Sequence, residues 1–486
     1  MASVEPLPGT AGAPEAVATP VPLPPVSGTD NSQALAGPQP CIIDLPAAWR
    51  LADVENPDIG ISRQAILESL ALEQGARVLL LPSIQGGTNY HDHNGNLQRS
   101  RGAILDVPAE QALYFGAGAR TVAAESVAFP GIRIFSHLGD AYFEPRAAAQ
   151  QVEARRFDAG AMNNDILLRV STQYFSLMGA EADLVVLKAS LNDATAISRM
   201  TSDFARIGQA RQADADRMTT EARLLDSEVQ RASGHVAVVA AQLARLLNLD
   251  PSLRLQTVGG PIPILELVDS GMRLESLVQI AERQRPELAA RNFEVSEMQY
   301  RYRQERTRAW LPTVAVGFSA GSFGGGSNLV DPVFGRFAGR TDFDALAYWS
   351  AQNFGVGNVA RWRQRRAQTD QAIATRARTL NRVRSEVAQA YAESAAQRQS
   401  ITISERRLAE AEQGYSEEFT RIRGGEGLPI ELLDNLTRLI SARRMMVQAV
   451  TTYDQAQFRL FVALGQPPTF VLQNAETAGA LKATQP

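Results

Sequence analysis

From Phe157 to Ile207 the chain contains no proline, and apolar residues return every three or four positions, as in Leu167, Val170, Tyr174, Leu177, Ala180 and Leu184, then Leu187, Leu191, Ala194, Ile197, Met200 and Phe204. That spacing is the seam of a helix packed in coiled-coil fashion. Started near Pro145, it predicts a helix of about 60 residues, or about 90 Å at 1.5 Å per residue. A break at Ile207 to Asp214 leads into a second run that Pro251 stops, so the two form an antiparallel hairpin. The same plan then returns. Leu380, Val383, Val387, Ala390, Ile401, Leu408 and Ile422 carry a comparable seam, "FTRIRGGEGLPIELLD" breaks it with Gly424, Gly425, Gly427 and Pro429, and a last helix ends at Gly465 and Pro467.

Between the helical runs the period changes from three or four to two. "LLLPSIQGG" (79–87) and "AWLPTVAVGF" (309–318) each run a helix into a Leu-Pro and emerge as a strand. Their returning partners are "PGIRIFSHLGDAYF" and "DALAYWSAQNFGVG", across Gly- and Ala-rich loops at 94–129 and 324–343. Strands of about 9 to 11 residues are long enough to cross a bilayer when tilted. Four cannot close a barrel, because open edges are not tolerated in lipid, so the chain is incomplete alone.

The marks align as a duplication. Residues 1–49 read as a disordered Pro- and Ala-rich segment. Residues 50–258 form a first repeat, with a short helix, strands 79–91 and 130–143, a long helix 145–207 and a helix 214–248. Residues 259–472 form a second, with strands 312–323 and 344–357, a long helix 358–422 and a helix 428–464. Residues 473–486 read as a flexible tail. The fold class expected is mainly α with a small β part.

Composition narrows the function. With 486 residues and a formal net charge of -4 there is no electrostatic case for nucleic acid. No run of about 18 apolar residues exists, so a membrane crossing would have to use strands. The first 49 residues hold no Lys or Arg and no apolar h-region, unlike a signal peptide. The single Cys41 follows "GPQP", unlike the small-residue site before a lipidated cysteine, and excludes a disulfide framework. His91 and His93 flank Asp92 in a spacing that could hold a metal, but a solvated strand end accounts for them. "GSFGGGSN" lacks the following Lys-Ser/Thr of a phosphate loop.

"RPEL" opening a helix that ends at "WLPTVAVG", the return "YWSAQNFGVGNVARWRQ" and the closing "GLPIELLDNLTRLISARRMMVQAVTTYDQAQFRLFVALG" together resemble the TolC-like outer-membrane efflux proteins. The likeness covers Ala52 to Pro468 and both repeats. It implies a homotrimer in which each chain gives four strands to one twelve-stranded barrel in outer-membrane lipid, while the helices form a tunnel through the periplasm of a Gram-negative cell. Pro82 and Pro312 would mark the passage from tunnel to barrel. It also implies an exit duct and not an enzyme, without cofactor or catalytic residue, fed by an inner-membrane pump or ABC transporter through a periplasmic adaptor protein in efflux or type I secretion.

The family's acidic gate pair, "D-x-x-D", falls on Glu431 and Asp434, with Glu in the first place. A spacing of three puts both carboxylates on one face of a helix, and three copies would make two acidic rings. The competing reading is that acids near a helix start complement its dipole. Arg206, Arg421 and Arg423 are expected to brace the gate through ion pairs. The tips at Gly208, Gln209, Gly424, Gly425, Glu426 and Gly427, farthest from the strands, are the expected docking sites of the adaptor. The alternative class is a soluble coiled-coil scaffold that uses the same seams for partner helices and never inserts.

Overall fold

The computed structural model describes residues 41–98, 101–117, 131–208, 211–329, 331–424 and 427–468. Two helices dominate: α3 (Leu138–Arg206, 69 residues) and α7 (Val356–Arg423, 68 residues), each about 100 Å long at the α-helical rise. Towards the tips, α3 is followed by its hairpin partner α4 (Gln212–Leu246) and α7 by α8 (Pro429–Ala463). Towards the sheet lie α1 (Leu45–Glu55) and α2 (Pro57–Arg77) in the first repeat, and α5 (Leu274–Gln284) and α6 (Pro286–Thr307) in the second. Neighbours run α2, α3, α6, α7 near the sheet and α4, α3, α8, α7 near the tips. In both tiers α7 bounds one side and α2 or α4 the other.

Shorter helices are stacked end to end along the long ones by a device that both repeats share. Asn56 caps α2 by accepting from Asp58 N (2.9 Å), and its amide donates to the carbonyl of Leu246, the last residue of α4 (2.9 Å). Its counterpart before Pro286 is Arg285. The Arg285 Nε donates to the carbonyl of Ala463 at the end of α8 (2.9 Å), and its other nitrogens bind Glu287 and Glu386. In each case the residue before a helix-opening proline takes up a carbonyl that the preceding helix end leaves unpaired.

Six strands build one sheet: β2 (Ser83–Ile84), β3 (Gly87–Gln98), β4 (Ile104–Ala117), β5 (Ile132–His137), β7 (Thr313–Ser327) and β8 (Asp331–Tyr348), all antiparallel. β7 pairs with β8 on one side; on the other it pairs first with β5 and then, further along, with β4. Among the described residues β3 pairs with β4 alone and β8 with β7 alone, so each presents an open edge. Register sorts the faces. Phe318 lies opposite both Ile132 and Phe343, and Val316 opposite Ile134 and Ala345. On the other face Gly317 is flanked by Arg133 and Asp344, and Ser319 and Gly321 lie opposite Asp342 and Arg340, which pair with each other at 3.0 Å. The apolar face is bare: Phe343 is 69% and Phe318 43% exposed.

Several expected boundaries move. The strand expected at 79–91 is β2 and β3, and much of the expected loop 94–129 is β4, zipped to β3 from Gly87 opposite Gly116 to Gln98 opposite Ile104; residues 118–130 lie outside the description. The strand expected at 130–143 is only β5, because His137 caps α3 by accepting from Gly139 N (3.0 Å), and Pro145 lies inside that helix. β7 and β8 extend through the glycine-rich run expected as a loop at 324–343. There the glycines permit close strand approach: a Cβ on Gly325 would lie 2.1 Å from the Gln111 carbonyl oxygen. β8 ends at Tyr348 instead of 357, and a turn, Gln352–Gly355, starts α7. Within 1–49, residues 41–49 are ordered structure. β1 (Cys41–Ile43) pairs in parallel with β6 (Leu255–Thr257), and Trp49 on α1 is buried, donating to Ser171 Oγ (2.9 Å) and packed edge-on to Phe458. Ile43, Ala48, Trp49 and Ala52 anchor this stretch. Residues 1–40, and of the expected tail 473–486 all, lie outside the described residues.

The segment joining the repeats, residues 258–272, crosses α8. Leu265 N donates to Asp454 (2.9 Å), and Leu267 N and Val268 N donate to Gln457 (3.0 and 3.1 Å).

Candidate functional site: the hairpin tips

Both hairpin ends share one core. Ile197 of α3, Met218 of α4, Ile422 of α7 and Leu432 and Leu436 of α8 are buried together, so the turns sit side by side at the end of the bundle opposite the sheet. The first turn leaves α3 through Gly208, whose φ of +77° is the left-handed conformation glycine supplies at helix ends. Gln209, Gly425 and Glu426, expected as docking residues, lie outside the described residues. Gly424 closes α7, and Gly427 is pressed against it: a Cβ there would lie 2.6 Å from the Ile422 side chain and 2.8 Å from a Glu418 oxygen.

Glu431 stands in the first turn of α8 and Asp434 one turn on, both half-exposed. Asp434 pairs with Arg438 four residues on (2.7 Å). Arg421, at the end of α7, lies 4.0 Å from Glu431 and 2.9 Å from Glu418. Arg421 therefore spans the turn between the two helices. The ion pairs expected of Arg206 and Arg423 across the tips are absent among the described residues. Arg206 is taken by Asp203 one turn back in its own helix, and Arg423 lies over the Phe419 ring, 5.6 Å from its centroid. Both partners are local, so neither guanidinium must order a second helix to be satisfied.

Glu418 was not singled out by sequence reasoning. Its side chain is buried, one oxygen binding Arg421 and the other, against Gly427, without a partner among the described residues. A Glu three residues before Arg421 on a predicted helix is the signal that could have found it; its burial depends on the turn folding back. A buried carboxylate beside a single arginine makes that arginine costly to remove, because the charge left behind is uncompensated. Above it, burial and the negative charge of Asp193 push the Tyr415 phenol above its usual range, its ring 5.9 Å from Phe419. Further up, Arg444 of α8 binds Asp183 of α3 (2.7 Å) and reaches Glu228 of α4 (3.6 Å), tying the two hairpins.

At the other end of the molecule, His91 and His93 lie on one side of β3 with ring centroids 6.4 Å apart. Among the described residues no group of three or more His, Cys, Asp or Glu is placed to hold a metal ion, and no helix is long and apolar enough to cross a membrane.

Residues 277–466 match the family model described as outer membrane efflux protein. Among solved structures the chain is similar to the CmeC outer membrane channel of Campylobacter jejuni, at 14% identity and a TM-score of 0.71, over 89% of this chain and 88% of that one. It is similar to the outer membrane protein VceC of Vibrio cholerae, at 16% identity and 0.65, over 87% and 96%. It is also similar to the MtrE outer membrane channel of Neisseria gonorrhoeae in its open state, at 16% identity and 0.65, over 87% and 89%. No curated protein sequence matches the chain. Residues 277–466 thus carry the likeness to the outer membrane efflux protein family, and the chain as a whole has the fold of these channel structures, with a duplicated helical hairpin beneath one antiparallel sheet.

Proposed function

We propose that three copies of this chain form an outer-membrane exit duct, in which the sheets close one barrel and the helices one periplasmic tunnel. The observation that carries the reading is the sheet itself: two open edges, one bare apolar face with Phe318 and Phe343, and one polar face with Arg340 and Asp342, continuous with helices about 100 Å long. Alternation of apolar-out and polar-in on strands without a covering layer is what a lipid-facing barrel wall requires. A soluble coiled-coil scaffold leaves that bare face and those edges without a use. The duct takes substrate from an inner-membrane pump or ABC transporter through a periplasmic adaptor that docks at the tips around Gly208, Gly424 and Gly427. The relatives described as outer membrane channels support this placement in the envelope of a Gram-negative cell.

At the tips, Glu431 and Asp434 form the constriction, and Arg421 is the brace. Six carboxylates crowded in a water-filled ring favour cations over anions. The mass of the detergent-solubilised protein is the first test: three chains are expected, and a monomer that still inserts into bilayers refutes the barrel. Replacing Glu431 and Asp434 together by Ala is expected to leave assembly intact and to reduce cation selectivity in single-channel recordings. Parent-like selectivity in that variant reduces both acids to helix-end charges.

A further inference from the structure

The helical layer has two faces, and α5 lies on one of them. Leu288 of α6 is buried there with Leu277 and Ala281 of α5, and Arg384 of α7 binds Glu282 of α5 (2.7 Å). A helix on the inner side would fill the passage of a duct, so this face is the outside. Towards the sheet the same face carries four arginines. Arg306 follows Leu288, and Arg366 precedes Arg384, by five turns of about 3.6 residues, so both lie on the side that α5 occupies. Arg303 and Arg363 are their neighbours one turn away. Tyr302 and Trp362, just before Arg303 and Arg363, pack with ring centroids 6.4 Å apart, which sets the arginines of the two helices at one level.

All four arginines are exposed, and among the described residues none forms an ion pair; Arg303 has only the Tyr300 ring, 5.9 Å from its guanidinium. On the side of α6 that meets α3 the arginines are instead held by acids, Arg291 by Asp158 (2.6 Å), Arg301 by Glu144 (3.1 Å) and Arg308 by Asp140. Asp370, one turn beyond Arg366, is exposed on the outer side and also without an ion pair, and one carboxylate does not balance four guanidinium groups that stay charged at any working pH. The duplication shows that the fold does not require this patch. Counted from Pro57 and Pro286, and from the caps His137 and Gly355, the first repeat has Gln74, Arg77, Pro145 and Ala148 at the four places, and Arg77 is taken by Glu73 (2.5 Å).

Between the arginines and the bare face of the sheet stand exposed aromatic rings. Phe343, Ala345 and Ala347 alternate along the apolar face of β8, and Trp349 continues them, 62% exposed, its Nε1 donating to the carbonyl of Trp310 (3.2 Å), which is itself 80% exposed. Phe354 is fully exposed in a left-handed backbone (φ +56°) that a bulky residue rarely takes. Strain that holds a bare ring outward is accounted for when something outside the chain covers the ring. Apolar wall, aromatic rings and then cations follow the order of acyl chain, interface and headgroup in a lipid leaflet. We infer that the outer face of α6 and α7 just below the sheet binds an anionic phospholipid, its phosphate shared by Arg303, Arg306, Arg363 and Arg366 and its acyl chains laid along the bare sheet. Guanidinium forks suit a phosphate because they can donate two hydrogen bonds to it at once. The inference rests on the barrel proposed above and adds the lipid that its tunnel end selects.

The test uses the full-length protein in detergent micelles and follows tryptophan fluorescence as brominated phosphatidylglycerol or brominated phosphatidylcholine is added, since bromine quenches Trp310 and Trp349 where lipid covers them. Half-quenching is expected at a phosphatidylglycerol concentration at least about fivefold lower than that of phosphatidylcholine. Arg363→Gln with Arg366→Gln is expected to bring the two lipids level. Arg217→Gln with Arg223→Gln, the same loss of charge on α4, is expected to keep the preference, with helix content by circular dichroism showing that each variant is folded. Inorganic phosphate equimolar with the lipid is expected to leave the preference in place; its loss there means that the arginines take the free anion and overturns the lipid assignment. Equal quenching of the parent by both lipids, or a preference that survives the arginine exchange, also overturns the inference, and the patch then fits an acidic protein surface. Quenching by neither lipid refutes the barrel reading itself, and this site with it.

Discussion

Asp454 offers the sharpest test of the energetics. Its side chain is fully buried on α8; one oxygen accepts from Leu265 N, and the other has no partner among the described residues. Burial pushes its carboxyl up to about 7, against which the single Leu265 hydrogen bond acts only weakly. An exposed aspartate titrates near 4, so the native state holds a proton over about 3 pH units in which the unfolded chain has released it. Stability contributed by the neutral acid is therefore full below pH 4, falls as pH rises from about 4 to about 7, and is level above that. At about 1.4 kcal/mol per unit the loss amounts to about 4 kcal/mol, an upper figure because local relaxation and water entry soften it. Asp454→Asn keeps an acceptor for Leu265 and cannot ionise. The assay is amide hydrogen exchange of residues 265–268, corrected for the intrinsic pH dependence of exchange, because a large membrane assembly unfolds irreversibly on heating. In the parent, the free energy of opening this segment should fall between pH 5 and pH 8, whereas in the variant it should stay level and exceed the parent at pH 8. Equal pH dependence in the two proteins refutes the reasoning and means that water or a counter-charge reaches the second oxygen.

Two other substitutions probe how the repeats are joined. Arg285→Ala removes a nearly buried guanidinium that binds Glu287, Glu386 and the Ala463 carbonyl, and should cost about 3 kcal/mol in denaturant unfolding, more than the loss of an exposed pair such as Arg63 with Asp53. Gly325→Val places a side chain 2.1 Å from the Gln111 carbonyl oxygen, so it should separate β4 from β7 and lower the heat stability of the assembly while leaving helix content by circular dichroism unchanged.

Sequence alone determined the helical half of this protein. The seam from Leu167 to Phe204 and its echo from Leu380 to Ile422 predict two long hairpins because helical periodicity is local: residues three and four apart meet on one face whatever the rest of the chain does. The same local logic put Pro82 and Pro312 between helix and strand, and the structure has α2 and α6 ending before them and β2 and β7 starting after them. Strand pairing is not local. β4 carries Pro108 at its middle and breaks strict alternation at Glu110 and Gln111, and it is a strand because β3 and β7 flank it, which spacing within 104–117 does not announce. At the tips, the resemblance to TolC-like proteins pointed to Glu431 and Asp434, and the turn glycines pointed to Arg421 beside them. Only tertiary structure decided that Arg421 lies between Glu418 and Glu431 while Arg206 and Arg423 stay with neighbours in their own helices. The reason is geometric: the choice between a local and a distant partner for a guanidinium depends on how closely a second helix approaches. Asp454 shows the same limit, reading as one more polar residue in "TTYDQAQF" until the crossing segment covers it and leaves one oxygen without a partner.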